Sequence, residues 1–242
     1  MLNESERIKL LGVRIDNLSR AEINDWIKDT LDNPPRQKFV ATLNPEIALK
    51  AHYDKGYREI LNGSSLNICD GFGIKLVSFL KGKKIKARYT GAELVEYLFG
   101  KCKEEKLKAL AIVAQNSLSS PKEIKDGVKK KFDINISAKF FINQKFFEDK
   151  NVQDSEVAFI NFGAPEQEKF IFENRKKLPK AKILVGVGGA FDFLTGKMKR
   201  APKIFQKTGM EWLWRLFLEP KRIKRIWNAI FVFPYLAITK PD

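Results

Sequence analysis

The sequence predicts an α/β fold, a largely parallel sheet flanked by helices, with a basic, aromatic-rich helical C-terminal appendage. Three observations lead there. Apolar, β-rich runs alternate with segments of helical period, the pattern of strand–helix–strand units. The 242 residues are 44% hydrophobic, enough to bury one large core or two small ones. Around Gly196 the alternation stops and a stretch rich in Trp, Phe, Lys and Arg takes over. A boundary is placed there, with residues 1–195 as the core and 196–242 as the appendage. There is no internal repeat and no low-complexity linker.

In chain order, Lys9–Ile15 is expected as the first strand and residues 20–31 as the first helix. Lys38–Thr42 is the next strand, followed by a long helix over 45–61. The run Leu66–Cys69 leads into a helix at 71–80, and a second helix at 91–105 precedes the strand Ala109–Ala114. Helix 121–132 and strand Asn135–Phe140 follow, then strand Glu156–Asn161, helix 165–178 and strand Lys182–Val187. The helix at 165–178 carries the clearest signals. Pro165 suits its first position, Glu166 and Glu168 its positive end, Arg175, Lys176 and Lys177 its negative end, and Pro179 stops it.

In the tail, Leu213, Leu216, Phe217, Ile223, Trp227, Ile230 and Phe231 recur near helical spacing, with Arg215, Arg222 and Arg225 towards the other side. Pro220 marks the start of a new helix. Basic residues mixed with Trp and Phe at this density read as an interfacial membrane helix. A core-packing or oligomer-forming helix with a solvated charged face is the alternative. Both stay open on these residues.

Composition narrows the partners. The net charge is +16. Residues 1–80 carry 11 basic and 11 acidic side chains, residues 81–195 carry 23 and 15, and residues 196–242 carry 11 and 3. The excess points to an anionic partner: nucleic acid, an anionic membrane surface or a phosphorylated substrate. Two cysteines, Cys69 and Cys102, make no multi-bridge framework, and a reducing compartment fits them. One histidine, His52, and no Cys/His cluster argue against zinc. The polar, charged segment Met1–Lys9 does not read as a signal peptide. The longest apolar run, Ala229–Ile238, is about half of the ~20 residues a membrane span needs, and Pro234 interrupts it. A soluble or surface-bound protein is expected.

In open parallel sheets, ligands bind outside the carboxyl ends of strands, where helix amino termini favour phosphate. That rule nominates four junctions: Thr42-Leu43-Asn44-Pro45, Asp70-Gly71-Phe72-Gly73, Gly163-Ala164-Pro165-Glu166-Gln167-Glu168, and Gly186-Val187-Gly188-Gly189-Ala190-Phe191-Asp192. Asp70 fits a general base that draws a proton from an acceptor hydroxyl, and equally a helix N-cap. Thr42 and Asn44 carry the same ambiguity. Gln167 is either a ligand contact or a solvated side chain, and Asp192 either holds a sugar hydroxyl or caps the next segment. Arg88 stands before a helix, where a guanidinium can clamp a diphosphate. No phosphate-binding P-loop, dinucleotide fingerprint or serine-hydrolase elbow is present.

These segments, in order, resemble the WecG/TagA/CpsF family of bacterial glycosyltransferases. The resemblance continues through Arg88-x-x-Gly91-x-Glu93-Leu94, Gly196-Lys197-x-x-Arg200-Ala201-Pro202, Glu211-Trp212-x-x-Arg215-Leu216 and Glu219-Pro220-x-Arg222-x-x-Arg225, and so spans almost the whole chain. At position 93 this sequence has Glu where the pattern usually has Asp. The resemblance implies a Rossmann-like core, a membrane-binding C-terminal appendage, and inverting, metal-independent chemistry with no cofactor. It implies a UDP-sugar donor and a polyprenyl-diphosphate-linked acceptor at the cytoplasmic face of the plasma membrane. In the TagA-like branch N-acetylmannosamine is added to undecaprenyl-diphosphate N-acetylglucosamine, early in wall teichoic acid synthesis. It makes Asp70 the catalytic base and places Thr42, Asn44, Arg88, Gln167 and Asp192 around the UDP-sugar. Arg215, Arg222 and Arg225 would complete the diphosphate site from the tail.

The elementary chemistry agrees, since arginines and helix amino termini can offset the charge of a departing diphosphate. No nucleic-acid partner is expected, and a homo-oligomer is left open. A nucleic-acid-binding protein or methyltransferase would also explain a basic α/β chain, but not the clustered Trp and Phe of the tail. A non-enzymatic membrane scaffold is the other alternative.

Overall fold

The structure is a computed structural model that describes residues 7–33, 37–202, 204–205, 211–220 and 223–240. Its centre is a six-stranded, wholly parallel sheet in the order β4–β3–β8–β7–β5–β6. The strands are β3 (Lys38–Leu43), β4 (Leu66–Cys69), β5 (Ala109–Val113), β6 (Ser137–Phe140), β7 (Val157–Asn161) and β8 (Ile183–Gly186). The chain runs outward from β3 to β4 on one side and from β5 to β6 on the other, then fills the gap with β7 and β8. That reversal of strand order creates the crevice where open α/β sheets hold ligands.

Each of these strands except the edge strand β6 is buried along most of its length, which is why they read as near-continuous apolar runs. Alternation sends their side chains to two cores. Phe39, Ala41, Leu43, Leu110, Ile112, Ile160 and Leu184 join α2 (Pro45–Tyr53), α3 (Lys55–Asn62), α4 (Phe72–Leu80) and α8 (Glu166–Asn174). Val40, Leu66, Ala111, Val113, Phe159 and Val185 join α1 (Arg20–Asp32), α5 (Gly91–Glu104) and α6 (Pro121–Phe132) on the opposite face. The short helix α9 (Ala190–Leu194) packs into this second core through Phe191, whose ring lies 6.2 Å from Phe99. Phe99 also stacks on Phe159 at 4.4 Å between ring centres. Truncating either ring to Ala is worth about 3–5 kcal/mol.

Three expectations change. The first strand is a hairpin, β1 (Arg7–Leu10) and β2 (Val13–Asp16), because Leu11 and Gly12 both adopt positive φ (52° and 78°) and form a two-residue turn. The helix expected over 45–61 is two helices. Asp54 breaks it, with extended backbone and its carboxylate accepting from Tyr57 N–H at 2.9 Å as the N-cap of α3. Pro165 sits at the N-cap of α8 rather than inside it, after a cis Ala164–Pro165 bond, and α8 gives way to a 3-10 turn at Arg175–Lys177. A short helix α7 (Lys150–Gln153) was not expected.

Beyond α9, residues 195–202 are irregular, and from Glu211 the described tail is mostly helical: Glu211–Leu218, Ile223–Trp227, a π-helical turn at Asn228–Val232, and a final helix Phe233–Thr239. Phe233 and Ala237 are fully buried in the first core. Lys81 Nζ at the end of α4 donates to Ala237 O at 2.9 Å. Core packing therefore holds for one face of the final helix. Among the described residues, no helix is long and apolar enough to cross a membrane.

Candidate active site

The carboxyl ends of β3, β4, β5, β7 and β8 open into one cleft of about 490 Å³. Thr42, Asn44, Asp70, Gln167, Asp192 and Arg225, drawn from separate elements, all line it. A second hollow, of about 690 Å³, lies at the amino ends of the strands. Three of its lysines are paired there: Lys108 and Lys180 with Asp154 at 3.3 and 2.6 Å, Lys182 with Glu156 at 3.3 Å. The first cleft is the one that gathers polar side chains from the carboxyl ends of the strands.

Asp70 follows the last residue of β4, and it is not a helix cap. Gly71 holds the N-cap position of α4, with no side chain capping it. A methyl group on Gly71 would lie 2.5 Å from Pro45 Cδ, so only glycine lets the Asp70 turn pack against the start of α2. Thr42 lies within β3, next to the strand that delivers Asp70. A methyl group placed on Gly91, the first residue of α5, would stand 3.8 Å from both Asp70 Oδ2 and Thr42 Oγ1. The carboxylate and hydroxyl thus converge on one helix amino terminus. Asn44 is a cap: its Oδ1 accepts from Ile47 N–H at 3.0 Å at the start of α2. Its position on the cleft wall remains.

Gln167 is buried, not solvated. Its Oε1 accepts from Gly188 N–H at 2.9 Å, and its Nε2 donates to Glu168 Oε1 at 2.6 Å. The amide occupies the space where Gly186 has no side chain; a Cβ there would meet it at 2.6 Å. Glu168 is wholly buried, and its Oε2 accepts from the Tyr57 hydroxyl at 2.9 Å. Burial raises the Glu168 carboxyl above its ordinary range and raises the Tyr57 hydroxyl too, the latter reinforced by Glu168. Gln167 therefore sets the Gly186–Gly189 loop at the cleft wall. Asp192 is also buried, with Oδ1 accepting from the Ser119 hydroxyl at 2.7 Å.

Of the arginines, Arg225 reaches the cleft from the tail. Its Nε and Nη2 donate to Glu46 Oε2 at 3.1 and 2.8 Å, across from the first turn of α2. Arg88 is half-buried near Cys69, whose thiol burial and then the Asp70 charge push up to about 12 while Arg88 works the other way. Arg88 is outside the cleft lining. Arg215 lies on helix Glu211–Leu218, with its side chain outside what the structure describes, and Arg222 lies outside the described residues.

Several cleft residues escaped the sequence reading. Arg200 lines it, 3.4 Å from Glu96 Oε1. So do Asn161 and Ser117, joined by Asn161 Nδ2 donating to Ser117 Oγ at 3.0 Å. For Asn161, its place at the end of a strand was a usable signal. Glu93 closes a capping box on α5, accepting from Thr90 N–H and Oγ1 at 2.8 and 2.7 Å. Among the described residues no group of three or more His, Cys, Asp or Glu could hold a metal ion.

Comparison with known proteins adds independent findings. The description "Glycosyl transferase WecG/TagA/CpsF family" matches residues 8–241. An N-acetylglucosaminyldiphosphoundecaprenol N-acetyl-beta-D-mannosaminyltransferase of Bacillus subtilis (strain 168) is 31% identical over 213 residues, 83% of this chain and 77% of that protein. A protein of the same name from Staphylococcus aureus (strain MRSA252) is 27% identical over 240 residues, 96% of this chain and 92% of its own.

Proposed function

The chain belongs to the WecG/TagA/CpsF family of glycosyltransferases, and from that premise we propose that it transfers N-acetylmannosamine from a UDP-linked donor to undecaprenyl-diphosphate-linked N-acetylglucosamine. The observation that carries this reading is that Asp70 and Thr42 both approach the amino terminus of α5, inside a cleft walled by glycine loops and reached by arginines. A single carboxylate base is sufficient for an inverting displacement. Asp70 takes the proton of the acceptor hydroxyl, the acceptor oxygen bonds to the anomeric carbon, and the bond to UDP breaks on the opposite face. Charge then accumulates on the departing diphosphate. Arg200, Arg225 and the backbone N–H groups of the Gly186–Gly189 loop are the groups this reading sets against it. The Arg225–Glu46 pair must open or be shared when the diphosphate arrives. The acceptor is a membrane lipid, so this reading puts the enzyme peripherally on a cytoplasmic membrane face, in wall teichoic acid or related polysaccharide synthesis, with no resident metal.

Asp70→Asn is the test. Transfer from UDP-N-acetylmannosamine to a short-chain lipid-diphosphate acceptor should fall by at least about 10²-fold, the scale of a lost general base. UDP should still raise the melting temperature of the variant, since a ligand of the native state stabilises it. Turnover near that of the wild type would remove Asp70 as base. No gain in stability from UDP in either protein would remove the donor.

A further inference from the structure

Helix α4 is apolar on both sides. Ile74 and Val77 face inward and are fully buried. Phe72, Leu76, Phe79 and Leu80 are exposed, Phe79 by 70%. Together with Lys75 they recur at i, i+3, i+4, i+7 and i+8, which is one continuous helix face. A surface helix of a soluble protein carries polar residues on that face, and a contiguous apolar patch marks a contact surface.

The tail carries a matching ridge. Ile223, Trp227, Phe231, Tyr235 and Ile238 succeed one another along its outer side, each more than half exposed. The Trp227 and Phe231 rings lie 4.4 Å apart. The two ridges are held together. Lys81 binds Ala237 O, and a methyl group on Gly73 would lie 3.8 Å from Ala229 O. Along both segments the charges are basic, and an acidic partner comes from outside them, Glu46 of α2 pairing with Arg225. No Asp or Glu occurs in residues 71–92 or 220–241, while Lys75, Lys84, Lys224 and Lys240 are exposed there. Two copies of such a face would repel each other, whereas an anionic bilayer satisfies both its apolar and its cationic character.

We propose that the outer face of α4 is a bilayer-docking ridge that sits, beside the tail ridge, on an anionic phospholipid surface. The helix begins two residues after Asp70, so docking through α4 brings the mouth of the cleft to the height of lipid headgroups. Only this last consequence rests on the reading of Asp70 as base; the docking itself does not.

The experiment uses the full chain and its Leu76→Ser/Phe79→Ser/Leu80→Ser variant, co-sedimented with phosphatidylcholine vesicles containing phosphatidylglycerol. Loss of three inserted apolar side chains should weaken partitioning at least about tenfold. Circular-dichroism melts check that both proteins are folded, and Phe79→Ser alone, at the most exposed position, supplies a milder variant with a smaller loss. Transfer to an acceptor in vesicles should fall with partitioning, while transfer to a water-soluble short-chain acceptor stays at the wild-type rate. Wild-type partitioning by the triple variant would overturn the proposal. So would a wild-type dimer that the substitutions convert to monomer with vesicle binding unchanged, because the ridge would then cover a second copy. A protein that binds vesicles through α4 but transfers no sugar would keep this proposal and remove the enzymatic one.

Discussion

At the scale of single residues, the most informative side chain is Glu168. It touches no open space, yet it fixes two donors: the Gln167 amide and the Tyr57 hydroxyl. Glu168→Ala would leave both buried and unpaired, at about 1–3 kcal/mol each. A lowered urea midpoint is expected, together with weaker UDP binding as the Gly186–Gly189 loop loses its brace. Glu168→Gln behaves differently, because its amide oxygen still accepts from Gln167 and its NH₂ can donate to Tyr57. Burial raises the native carboxyl from 4.5. Native protein therefore binds its proton more tightly than unfolded chain, and stability falls as pH rises from about 4.5 towards the raised value. Glu168→Gln should remove that slope and be at least as stable as wild type at neutral pH; an unchanged slope would show that another group causes it. The sequence showed Glu168 only as an acidic residue in a first helical turn. Burial depends on Tyr57 arriving from α3, 111 positions away, and nothing local announces that. Asp70, Thr42 and Asp192 were legible because strand ends are where this architecture gathers ligand-facing side chains. Arg200 stood within the Gly196–Pro202 segment but was given no role, since a polar residue in an irregular segment has no periodicity to place it.

At the scale of elements, helix starts are unusually well specified. Ser19/Glu22, Thr90/Glu93 and Ser120/Glu123 each form a capping box. Glu123 also pairs with Lys197 at 2.7 Å, tying α6 to the segment that leads to Arg200. Lys197 first, then the Ser120 backbone N–H and hydroxyl, hold the Glu123 carboxyl down at about 2. A depressed native value means the contribution is complete above the ordinary 4.5 and is lost as pH falls towards 2. Glu123→Gln should therefore lie below wild type in urea midpoint at pH 5–7 and converge with it near pH 2. A constant gap over that range would assign the effect to packing instead. The strands were legible because burial on both faces writes them as apolar runs. The breaks at Leu11-Gly12 and at Asp54 were not, since each is one or two residues inside a longer apolar or helical pattern. The outward face of α4 was hidden for a related reason: when both sides of a helix are apolar, the pattern cannot say which one meets the core.

At the scale of the whole molecule, the tail works both as part of the core and as a surface. Phe233 and Ala237, flanked by Val232 and Leu236, close the first core over α2 and α4, while Phe231, Tyr235 and Ile238 are exposed, as are Lys224, Arg225 and Lys240. Part of the excess charge therefore lies along the same segments as the exposed apolar surface of α4 and the tail, an arrangement the +16 balance could not reveal by itself. This changes how the tail has to be tested. Deleting residues 196–242 would also strip the cover from α2 and α4, so lost activity in a truncated chain would not isolate a role for its arginines. Two substitutions separate the roles. Phe233→Ala should cost about 3–5 kcal/mol, as a fully buried ring does, and lower the melting temperature with or without vesicles. Arg225→Ala should leave stability within about 1 kcal/mol, because its pair with Glu46 is half exposed and solvent-screened. The same substitution should slow sugar transfer, through loss of a positive charge at the diphosphate. If Phe233→Ala melted like the wild type, the final helix would be a detachable arm, and the α4 face beneath it would be open in the absence of lipid. If Arg225→Ala transferred sugar at the full rate, the diphosphate charge would have to be met from within the core, with Arg200 the first candidate.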